Sequence, residues 1–570
     1  MGALEFRKVE VKARNGLVTA STPSACEAGV KLLREGGNAI DAGVALGFCN
    51  TVVEPYLAAL AGLGFMLIYS KEDDRVVSLD FNTRSPKAAT ADMFKVKGEA
   101  AAGGTKIFEV EGNENSVGAK AITIPATLKG LCLAHELYGS KPLADILSPA
   151  ISLASSGFAL GWDQSLVLLS LSRERNVTSE IEEIWYPGGI PAIPGTKIVQ
   201  PSLGRLLKRV SNEGPGFVYN GDLAKQIVDE MSRGGGILNL EDLASYEPLV
   251  SDPVRISYRG YDITTTSTPS GGITVLEAFN ILEGFDLSSL SHNSAEYLHI
   301  VIEASRHAFA DRYSYLGDWE SASVPLKGLL SKDYSKEIAA LIDTDKAKFP
   351  IDGAEPWTAY LGNPIHNPWK YDNNQKPKPS SSSGLSGETT HFNAVDKAGN
   401  AVCCTHTPGF HAGISPMGSG LYLTAAMGWF IPKPGYPNSI GPWKRPLMNM
   451  APLMVLKDGV PVIMEGAPGS RRIINRNLQV VLNILEFGMG PQDAISAPTV
   501  DVSGLDTLLD LRIGGDVAED LRRRGHRIKV VEEGPGVSAF SRPSAIYIDR
   551  ERGVFRGGVD LFRRSLSLGY

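Results

Sequence analysis

The sequence lacks the features that mark several large classes of protein. Its 570 residues contain five cysteines, an odd number without regular spacing, so no disulfide framework is indicated and a reducing compartment is expected. The net charge is −7 and the pI is about 5.8, which argues against nucleic acid as a partner. A phosphate-binding glycine loop, a GxSxG nucleophile elbow and an HExxH zinc motif are also missing, and no cofactor is expected.

A hydrophobic run long enough to cross a membrane is missing as well. Residues 1–8 lack the apolar core of a signal peptide, so a cytoplasmic location is expected. The most apolar stretch, residues 41–69, is interrupted by Asn50, Glu54 and Pro55. We interpret this stretch as a buried helix that leads into a strand, and we expect no contact with a membrane.

The hydrophobic periodicity predicts helices and strands that are mixed along the chain. Helices are predicted over residues 24–35, 40–52, 142–156 and 222–233, with a further short helix capped by Asn239 and Asp242. Strands are predicted over residues 64–69, 76–81, 453–457, 462–465 and 544–548. This mixture predicts an α/β sandwich.

Two threonines stand at corresponding positions of a predicted β-hairpin. The hairpin covers residues 389–407, and its turn is the Lys-Ala-Gly sequence at residues 397–399. In that register Thr389 lies opposite Thr407, with about 5 Å between their Cβ atoms. A threonine hydroxyl is a nucleophile only when a base removes its proton. If the bond between Glu388 and Thr389 were cut, the new α-amino group of Thr389 could be that base.

The hairpin pattern is also typical of ordinary sheet structure, and the hairpin residues alone favour that interpretation. The segment before the hairpin changes the balance. Residues 373–388 are polar, rich in proline and serine, and free of apolar periodicity, which is typical of a flexible linker. A protein that cuts itself before its nucleophile needs such a segment, because the cut end must move aside. An exposed loop would have the same composition.

Short motifs along nearly the whole chain resemble, in order and spacing, those of the γ-glutamyltranspeptidase family of self-cleaving N-terminal-nucleophile hydrolases. Before the hairpin the matching motifs are residues 36–42 (GGNAIDA), 52–55 (VVEP), 258–261 (YRGY), 269–272 (PSGG) and 310–313 (ADRY). Within and after it they are residues 396–402 (DKAGNAV), 418–420 (GSG), 444–447 (KRPL), 467–469 (APG) and 569–570 (GY). No single motif is decisive, but their combined order is specific.

The resemblance implies a four-layer αββα sandwich that both parts of the chain build together. Residues 1–388 would form the large subunit, which ends in the linker over residues 373–388. Residues 389–570 would form the small subunit, which begins at the nucleophile. The two fragments of one chain would remain together as a heterodimer, and a higher oligomer is also possible.

The resemblance also implies roles for individual residues. Thr389 corresponds to the nucleophile, first of self-cleavage and then of acyl transfer, and Thr407 to the threonine that orients its hydroxyl. Gly469 and Ser470 correspond to a glycine pair whose N–H groups form the oxyanion hole, and such donors are typically worth a few kcal/mol. Ser470 departs from the family's glycine, and a plain turn is the alternative interpretation of residues 467–470.

The departures from the family pattern fall on the residues that hold a γ-glutamyl head group. Asn82 stands where relatives have an arginine for the α-carboxylate, and Arg84, two residues further on, could reach that position. The remaining replacements are Gly409 for an asparagine, Trp429 for the acid that binds the α-ammonium, and Met448 with Asn449 for a serine pair. A zwitterionic head group requires a guanidinium and a carboxylate, and this site has lost both.

Three histidines near the hairpin raise the alternative of a metal site. They are His391, His406 and His411, and the first two are expected to lie near each other across the strands. No cysteine or acidic residue is placed to complete a set of ligands, so no metal is predicted.

The sequence therefore predicts an autoprocessing amide hydrolase or acyltransferase that acts on a small-molecule amide through an acyl-enzyme. The acyl group is expected to differ from γ-glutamyl. Two alternatives stay open, a genuine γ-glutamyltransferase or glutathione hydrolase, and a catalytically silent homologue that acts as a binding protein. The intact Thr389 and Thr407 argue against silence, whereas the lost head-group ligands are what silence would permit.

Overall fold

The structure of the protein is a computed structural model. It describes residues 6–99, 108–172, 178–348, 356–361, 363–372, 388–411, 413–416, 418–535 and 539–570. The predicted linker over residues 373–388 lies outside this part of the chain, except for the backbone of Glu388.

Seventeen α-helices are found within the described ranges. In chain order they are α1 Pro23–Arg34, α2 Ala39–Val53, α3 Thr127–Tyr138, α4 Leu143–Ser156, α5 Trp162–Leu171, α6 Ser179–Trp185, α7 Pro201–Glu213, α8 Gly216–Asn220, α9 Asp222–Arg233, α10 Leu240–Ala244, α11 Gly272–Leu282, α12 Ala295–Tyr315, α13 Leu326–Leu329, α14 Lys332–Ala339, α15 Arg472–Leu485, α16 Pro491–Ser496 and α17 Gly515–Arg523.

Twenty-two β-strands lie in the same parts of the chain that the structure describes. They are β1 Val11–Ala13, β2 Gly16–Ala20, β3 Leu63–Ser70, β4 Arg75–Phe81, β5 Val96–Glu99, β6 Phe108–Val110, β7 Phe158–Ala159, β8 Lys197–Ile198, β9 Leu249–Ser251, β10 Val254–Tyr258, β11 Tyr261–Thr265, β12 Glu388–Asp396, β13 Ala401–His411, β14 Thr424–Ala425, β15 Leu453–Lys457, β16 Val460–Gly466, β17 Val500–Asp501, β18 Thr507–Asp510, β19 Ile528–Val531, β20 Ser544–Asp549, β21 Val554–Val559 and β22 Leu566–Gly569.

Two large sheets are stacked in the centre of the molecule. One has eight strands in the order β22-β2-β12-β13-β3-β4-β9, with β14 added to β13 beyond this path, and the other has seven in the order β1-β21-β20-β16-β15-β11-β10. Each sheet takes strands from both sides of Thr389. The apolar side chains between the sheets include Leu67, Cys403, Met454 and Ile546.

A helical layer covers the outer face of each sheet. Helices α1 to α4 share a core with the eight-stranded sheet, and helices α11, α12 and α15 share a core with the seven-stranded sheet. Helix α2 is buried along its whole length, and its N-terminus is closed by reciprocal hydrogen bonds between Asn38 and Asp41. The fold is therefore the predicted four-layer αββα sandwich.

The predicted helices and strands are found with ends that differ by one or two residues. The capping pair of Asn239 and Asp242 is present at the start of α10. All five cysteines are unpaired and buried. None of the helices within the described ranges combines the length and the hydrophobicity that a membrane crossing requires.

Candidate active site

The hairpin of β12 and β13 follows the predicted register over most of its length. Residues 390–395 pair with residues 401–406, and the amide of Asp396 donates to the carbonyl of Asn400 at 3.1 Å. Gly399 in the turn has a φ of 99°, which agrees with the glycine that the sequence requires there. The hairpin therefore holds its two ends in fixed positions next to each other.

The pairing changes where Thr389 was predicted to face Thr407. Glu388 pairs with Gly409, which lies one residue beyond the predicted register. Pro408 has no N–H to donate to the ladder, and Gly409 has a φ of 71°, so a regular ladder does not continue here. The extra residue of this β-bulge lies in β13, where Thr407 and Pro408 together stand opposite Thr389, so Thr389 has no regular pair with Thr407 alone.

Both threonines are nonetheless buried at the same end of the hairpin. Thr389 is 4% exposed and Thr407 is 1% exposed. The Oγ1 atom of Thr407 accepts a hydrogen bond from the amide of Gly409 at 3.1 Å. Because this bond uses a lone pair of the Thr407 hydroxyl, its proton can be donated to a different acceptor.

Strand pairing connects this end of the hairpin with Trp429. Gly409 pairs with Ala425 of β14, and a Cβ atom on Gly409 would lie 2.9 Å from the carbonyl oxygen of Ala425. The turn that carries Trp429 begins directly after β14. An asparagine side chain at position 409, as the family pattern has, would therefore require β14 to move.

The turn between β16 and α15 carries Gly469 and Ser470. It lies beside the start of β12, because a Cβ atom on Gly466 would come within 2.4 Å of the His391 ring. Gly469 has a φ of 141°, and a Cβ atom there would lie 2.2 Å from the hydroxyl of Ser541. Ser470 has a φ of 61°, in the left-handed region that favours glycine. Both amides stand just before helix α15, whose N-terminus favours negative charge.

Asn82 follows the last residue of β4 and is buried. Its Nδ2 atom donates to the carbonyl oxygen of Pro446 at 2.9 Å. Because a carbonyl only accepts hydrogen bonds, this contact fixes the orientation of the amide. The other atom, Oδ1, is buried and has no hydrogen-bond partner among the described residues. At this position the chain therefore presents an acceptor, where relatives are expected to present a guanidinium.

Arg84 has partners within the chain. One nitrogen of its guanidinium donates to the carbonyl oxygen of Trp443 at 2.9 Å, and another forms an ion pair with Glu320. The guanidinium also lies over the Trp443 ring, 5.5 Å from its centroid. The charge of Arg84 is therefore already compensated, which does not favour its predicted use as a substitute for the missing arginine at position 82.

A second arginine forms a buried ion-pair network beside Asn82. Arg445 contacts Asp80 at 2.7 Å and Asp318 at 2.6 Å. Asp80 in turn accepts a hydrogen bond from the amide of Asn82 at 2.7 Å. Burial raises the pKa of Asp80, while the Arg445 guanidinium opposes that shift. The sequence contained Arg445 in a family motif, but nothing local identified its partners.

Met448 and Asn449 are held by hydrogen bonds from Arg312 of α12. One nitrogen of the guanidinium donates to the carbonyl oxygen of Met448 at 2.8 Å and to Oδ1 of Asn449 at 2.9 Å. Asn438 connects this segment with Trp429. Its side-chain oxygen accepts a hydrogen bond from the amide of Leu447 at 2.9 Å, and its side-chain nitrogen donates to the carbonyl oxygen of Trp429 at 2.8 Å. Arg312 lies in the family motif at residues 310–313, although nothing local identified its partners, and the sequence did not single out Asn438.

The histidines of the hairpin do not share a face of the sheet. His391 contacts the hydroxyl of Thr405 at 2.8 Å, so it points to the same face as Thr405, and His406, the next residue, points to the other. Burial lowers the pKa of both imidazoles to about 3. The two histidines are therefore neighbours on adjacent strands, but their rings lie on opposite faces of the sheet. The side chain of His411 lies outside the described part of the structure. Among the described residues, no group of three or more His, Cys, Asp or Glu side chains could hold a metal ion.

Comparisons with known proteins agree with this fold and site. Residues 25–570 match the family model described as gamma-glutamyltranspeptidase. The chain is 35% identical to the glutathione hydrolase proenzyme of Escherichia coli K12, over 92% of this chain and 87% of that protein. It is 36% identical to the acylase ACY 1 proenzyme of Pseudomonas sp. SE83, over 90% of this chain and 87% of that protein.

Solved structures show the same similarity. The cephalosporin acylase of Bacillus halodurans superposes with a TM-score of 0.85 at 26% identity, covering 100% of this chain and 98% of that one. The γ-glutamyltranspeptidase of Helicobacter pylori gives a TM-score of 0.53 at 33% identity, covering 62% of this chain and 96% of that one. The protein is an amide hydrolase or acyltransferase of the N-terminal-nucleophile type. Within that class, the chain belongs to the γ-glutamyltranspeptidase family.

Proposed function

We propose that the protein cuts itself before Thr389 and then uses this threonine to hydrolyse or transfer an acyl group other than γ-glutamyl. One observation supports the substrate proposal most directly. Asn82 presents a buried, unpartnered acceptor atom where the family pattern places the carboxylate-binding arginine. A substrate carboxylate at that position would face an acceptor instead of a donor. Among the relatives, the acylase names are consistent with acyl groups that differ from γ-glutamyl.

The proposed reaction begins with attack of the Thr389 Oγ atom on the carbonyl carbon of an amide. The hydroxyl proton passes to the free α-amino group of Thr389. The oxyanion that forms is stabilised by the amides of Gly469 and Ser470. The carbon–nitrogen bond then breaks, the leaving amine takes the proton, and the acyl group remains on Thr389 as an ester. Water or an acceptor amine releases it.

The mature protein is proposed to contain two fragments, residues 1–388 and 389–570. They would stay together without a covalent link, because each sheet contains strands from both fragments. Separation would expose the apolar side chains between the sheets and those under the helices to water, which is strongly unfavourable.

The proposed acyl-enzyme can be detected directly. We expect a slowly released activated amide or ester to add the mass of its acyl group to the fragment of residues 389–570 and to leave residues 1–388 unchanged. Intact-mass spectrometry of the denatured protein after a brief incubation measures this. Digestion should locate the added mass on Thr389. An acyl group on another residue, or none while the substrate is consumed, would contradict the proposed mechanism.

Thr407 is proposed to orient the Thr389 hydroxyl. Its Oγ1 atom accepts a hydrogen bond from the amide of Gly409, which leaves its proton for donation to Thr389. Loss of one orienting hydrogen bond costs about 1–3 kcal/mol, so Thr407→Val should slow self-cleavage or turnover roughly tenfold to a hundredfold. Single-turnover rates measure the effect, and Thr407→Ser, which keeps the hydroxyl, is the control. Full activity of Thr407→Val would exclude this role.

A further inference from the structure

Glu54 is a buried acid that the proposed reaction does not use. Its carboxyl group contacts Thr390, the residue that follows the proposed nucleophile. Glu54 follows directly after α2 and is 2% exposed. Its Oε1 atom contacts the hydroxyl of Thr390 at 2.6 Å and the hydroxyl of Ser21. The two hydroxyls are 2.8 Å from each other. Three oxygen atoms therefore form a closed ring of hydrogen-bond contacts, which we call the Glu54 ring.

The Glu54 ring fixes the residue at which the strand pairing changes. Thr390 makes the last regular pair of β12, with His406, and the bulge at Thr389 begins immediately before it. Because Thr390 follows Thr389 directly, its position helps to determine the conformation of the peptide between Glu388 and Thr389. A change in the ring would therefore act on the proposed cleavage site without touching the reacting atoms.

We propose that Glu54 is a positioning residue for self-cleavage, which it supports by holding Thr390 through the closed ring. This inference rests on the proposed cleavage before Thr389. It assigns Glu54 no proton transfer to or from the reacting atoms. Because Thr390 lies in β12, on the C-terminal side of the proposed cut, the ring stays intact after cleavage.

The protonation of Glu54 determines whether the ring is complete. The hydroxyls of Ser21 and Thr390 supply two protons for three contacts between oxygen atoms. A protonated Glu54 supplies the third, whereas an ionised Glu54 leaves one contact without a proton. Only the neutral form therefore supplies a proton to all three contacts of the ring.

The surroundings of Glu54 favour that neutral form. Burial raises the pKa of Glu54 to about 7, and the hydrogen bonds from Ser21 and Thr390 oppose the shift. Among charged groups further away, Arg563 lowers this pKa and Asp163 raises it. His406, which faces Thr390 from β13, remains neutral because burial lowers its pKa to about 3. Ionisation of Glu54 is therefore expected near pH 7.

The test compares self-cleavage of the wild type with that of Glu54→Gln between pH 6 and pH 8.5. Glutamine keeps the shape of the side chain, can donate as well as accept, and cannot ionise. The two proteins should mature at similar rates at pH 6. One pH unit above a pKa only about a tenth of a carboxyl group is protonated, so the ratio of the wild-type rate to the Glu54→Gln rate should fall roughly tenfold by pH 8. Gel electrophoresis of newly refolded or newly translated protein gives the rates.

Three further proteins make the outcome decisive. Glu54→Leu should mature slowly at every pH, and Ser21→Ala in the wild-type background should weaken the pH dependence, because both open the ring. Thr389→Ala should not mature at any pH. A constant ratio of wild type to Glu54→Gln, or rapid maturation of Glu54→Leu, would overturn the role of Glu54 while leaving the proposed function intact. Absence of cleavage in the wild type would overturn the proposed function itself.

Thermal unfolding checks the titration of Glu54 independently of self-cleavage. Because the pKa of Glu54 is raised in the folded state, its stabilising contribution is present at acid pH and is lost as the pH rises through about 7. Glu54→Gln should therefore gain stability relative to the wild type between pH 5 and pH 8. Its maturation rate relative to the wild type should rise over the same range. Slower maturation of Glu54→Gln with an unchanged unfolding temperature would argue against the proposed ring.

Discussion

The purified wild-type protein should migrate as two polypeptides, residues 1–388 and 389–570, and Thr389→Ala should remain one chain. The effect is all or none, because the hydroxyl of Thr389 is the attacking group in the proposed cleavage and alanine has nothing to replace it. The bulge opposite Thr389 gives this position an irregular backbone. Gly466, just before the proposed oxyanion turn, lies against the ring of His391, two residues further on. Denaturing electrophoresis and intact-mass measurement report the cleavage, and N-terminal sequencing should begin at Thr389.

Matched variants make this result specific to Thr389. Thr389→Ser keeps a hydroxyl and should still cleave, whereas Thr90→Ala, which removes the side chain of an exposed threonine, should cleave like the wild type. Thr389→Ala should also lack all amidase activity. A wild type that stays at full length after long incubation and shows no amidase activity would favour the silent homologue over the enzyme.

The sequence predicted the hairpin well because its determinants are local. Alternating side chains, the glycine of the turn and the two strands lie within twenty-four residues, and the pairing of residues 390–395 with 401–406 follows from them. The bulge at Thr389 was not predicted. It depends on Pro408, which cannot donate to the ladder, and on the close approach of Gly409 to β14, which is brought there by the fold. Thr389 therefore stands opposite both Thr407 and Pro408 instead of pairing with Thr407 alone.

The partners of the charged residues could not be predicted, because they are distant in sequence. Arg84 is paired with Glu320, and Arg445 with Asp80 and Asp318. No periodicity or motif links these positions, so Arg84 looked like a cation available to a substrate. Glu54 also lies in a recognised family motif, but its contact with Thr390 joins residues that are 336 positions apart in the sequence. Sequence patterns thus identified the fold and the candidate residues, whereas the charge balance of the site depends on tertiary contacts.

The orientation of Asn82 is the most consequential of these tertiary details. From the sequence, an asparagine at this position could offer either its amide nitrogen or its oxygen to a substrate. The contact with the carbonyl of Pro446 uses the nitrogen and leaves the oxygen. The two nearby arginines are already paired, Arg84 with Glu320 and Arg445 with Asp80 and Asp318. In the proposed site neither Asn82 nor the paired Arg84 would bind an α-carboxylate, and Trp429 stands where the family pattern has the acid that pairs with an α-ammonium.

The processed wild-type enzyme should therefore turn over γ-glutamyl anilide poorly compared with anilides of simpler acyl groups. A γ-glutamyl head would bring an ammonium and a carboxylate into the site without their partners. Leaving such groups unpaired costs several kcal/mol in total, and about 3 kcal/mol already corresponds to a hundredfold decrease in kcat/KM. Three further anilides form a matched series with the γ-glutamyl compound. The butyryl anilide lacks both charges, the glutaryl anilide lacks only the ammonium, and the 4-aminobutyryl anilide lacks only the carboxylate. Initial rates with all four give the cost of each charge.

Two variants at Asn82 test the physical reason for this preference. Asn82→Arg replaces the acceptor by a guanidinium and should improve the glutaryl and γ-glutamyl anilides relative to the butyryl anilide, whereas Asn82→Ala removes the acceptor without supplying a cation and should not. Arg84→Ala is the control for the other arginine, since the relative rates with the glutaryl and butyryl anilides should not change if Arg84 serves only Glu320 and Trp443. If the γ-glutamyl anilide or glutathione is the best substrate of the wild type, this interpretation is contradicted. The protein would then be a genuine γ-glutamyl enzyme that binds its head group by residues other than those of the family pattern.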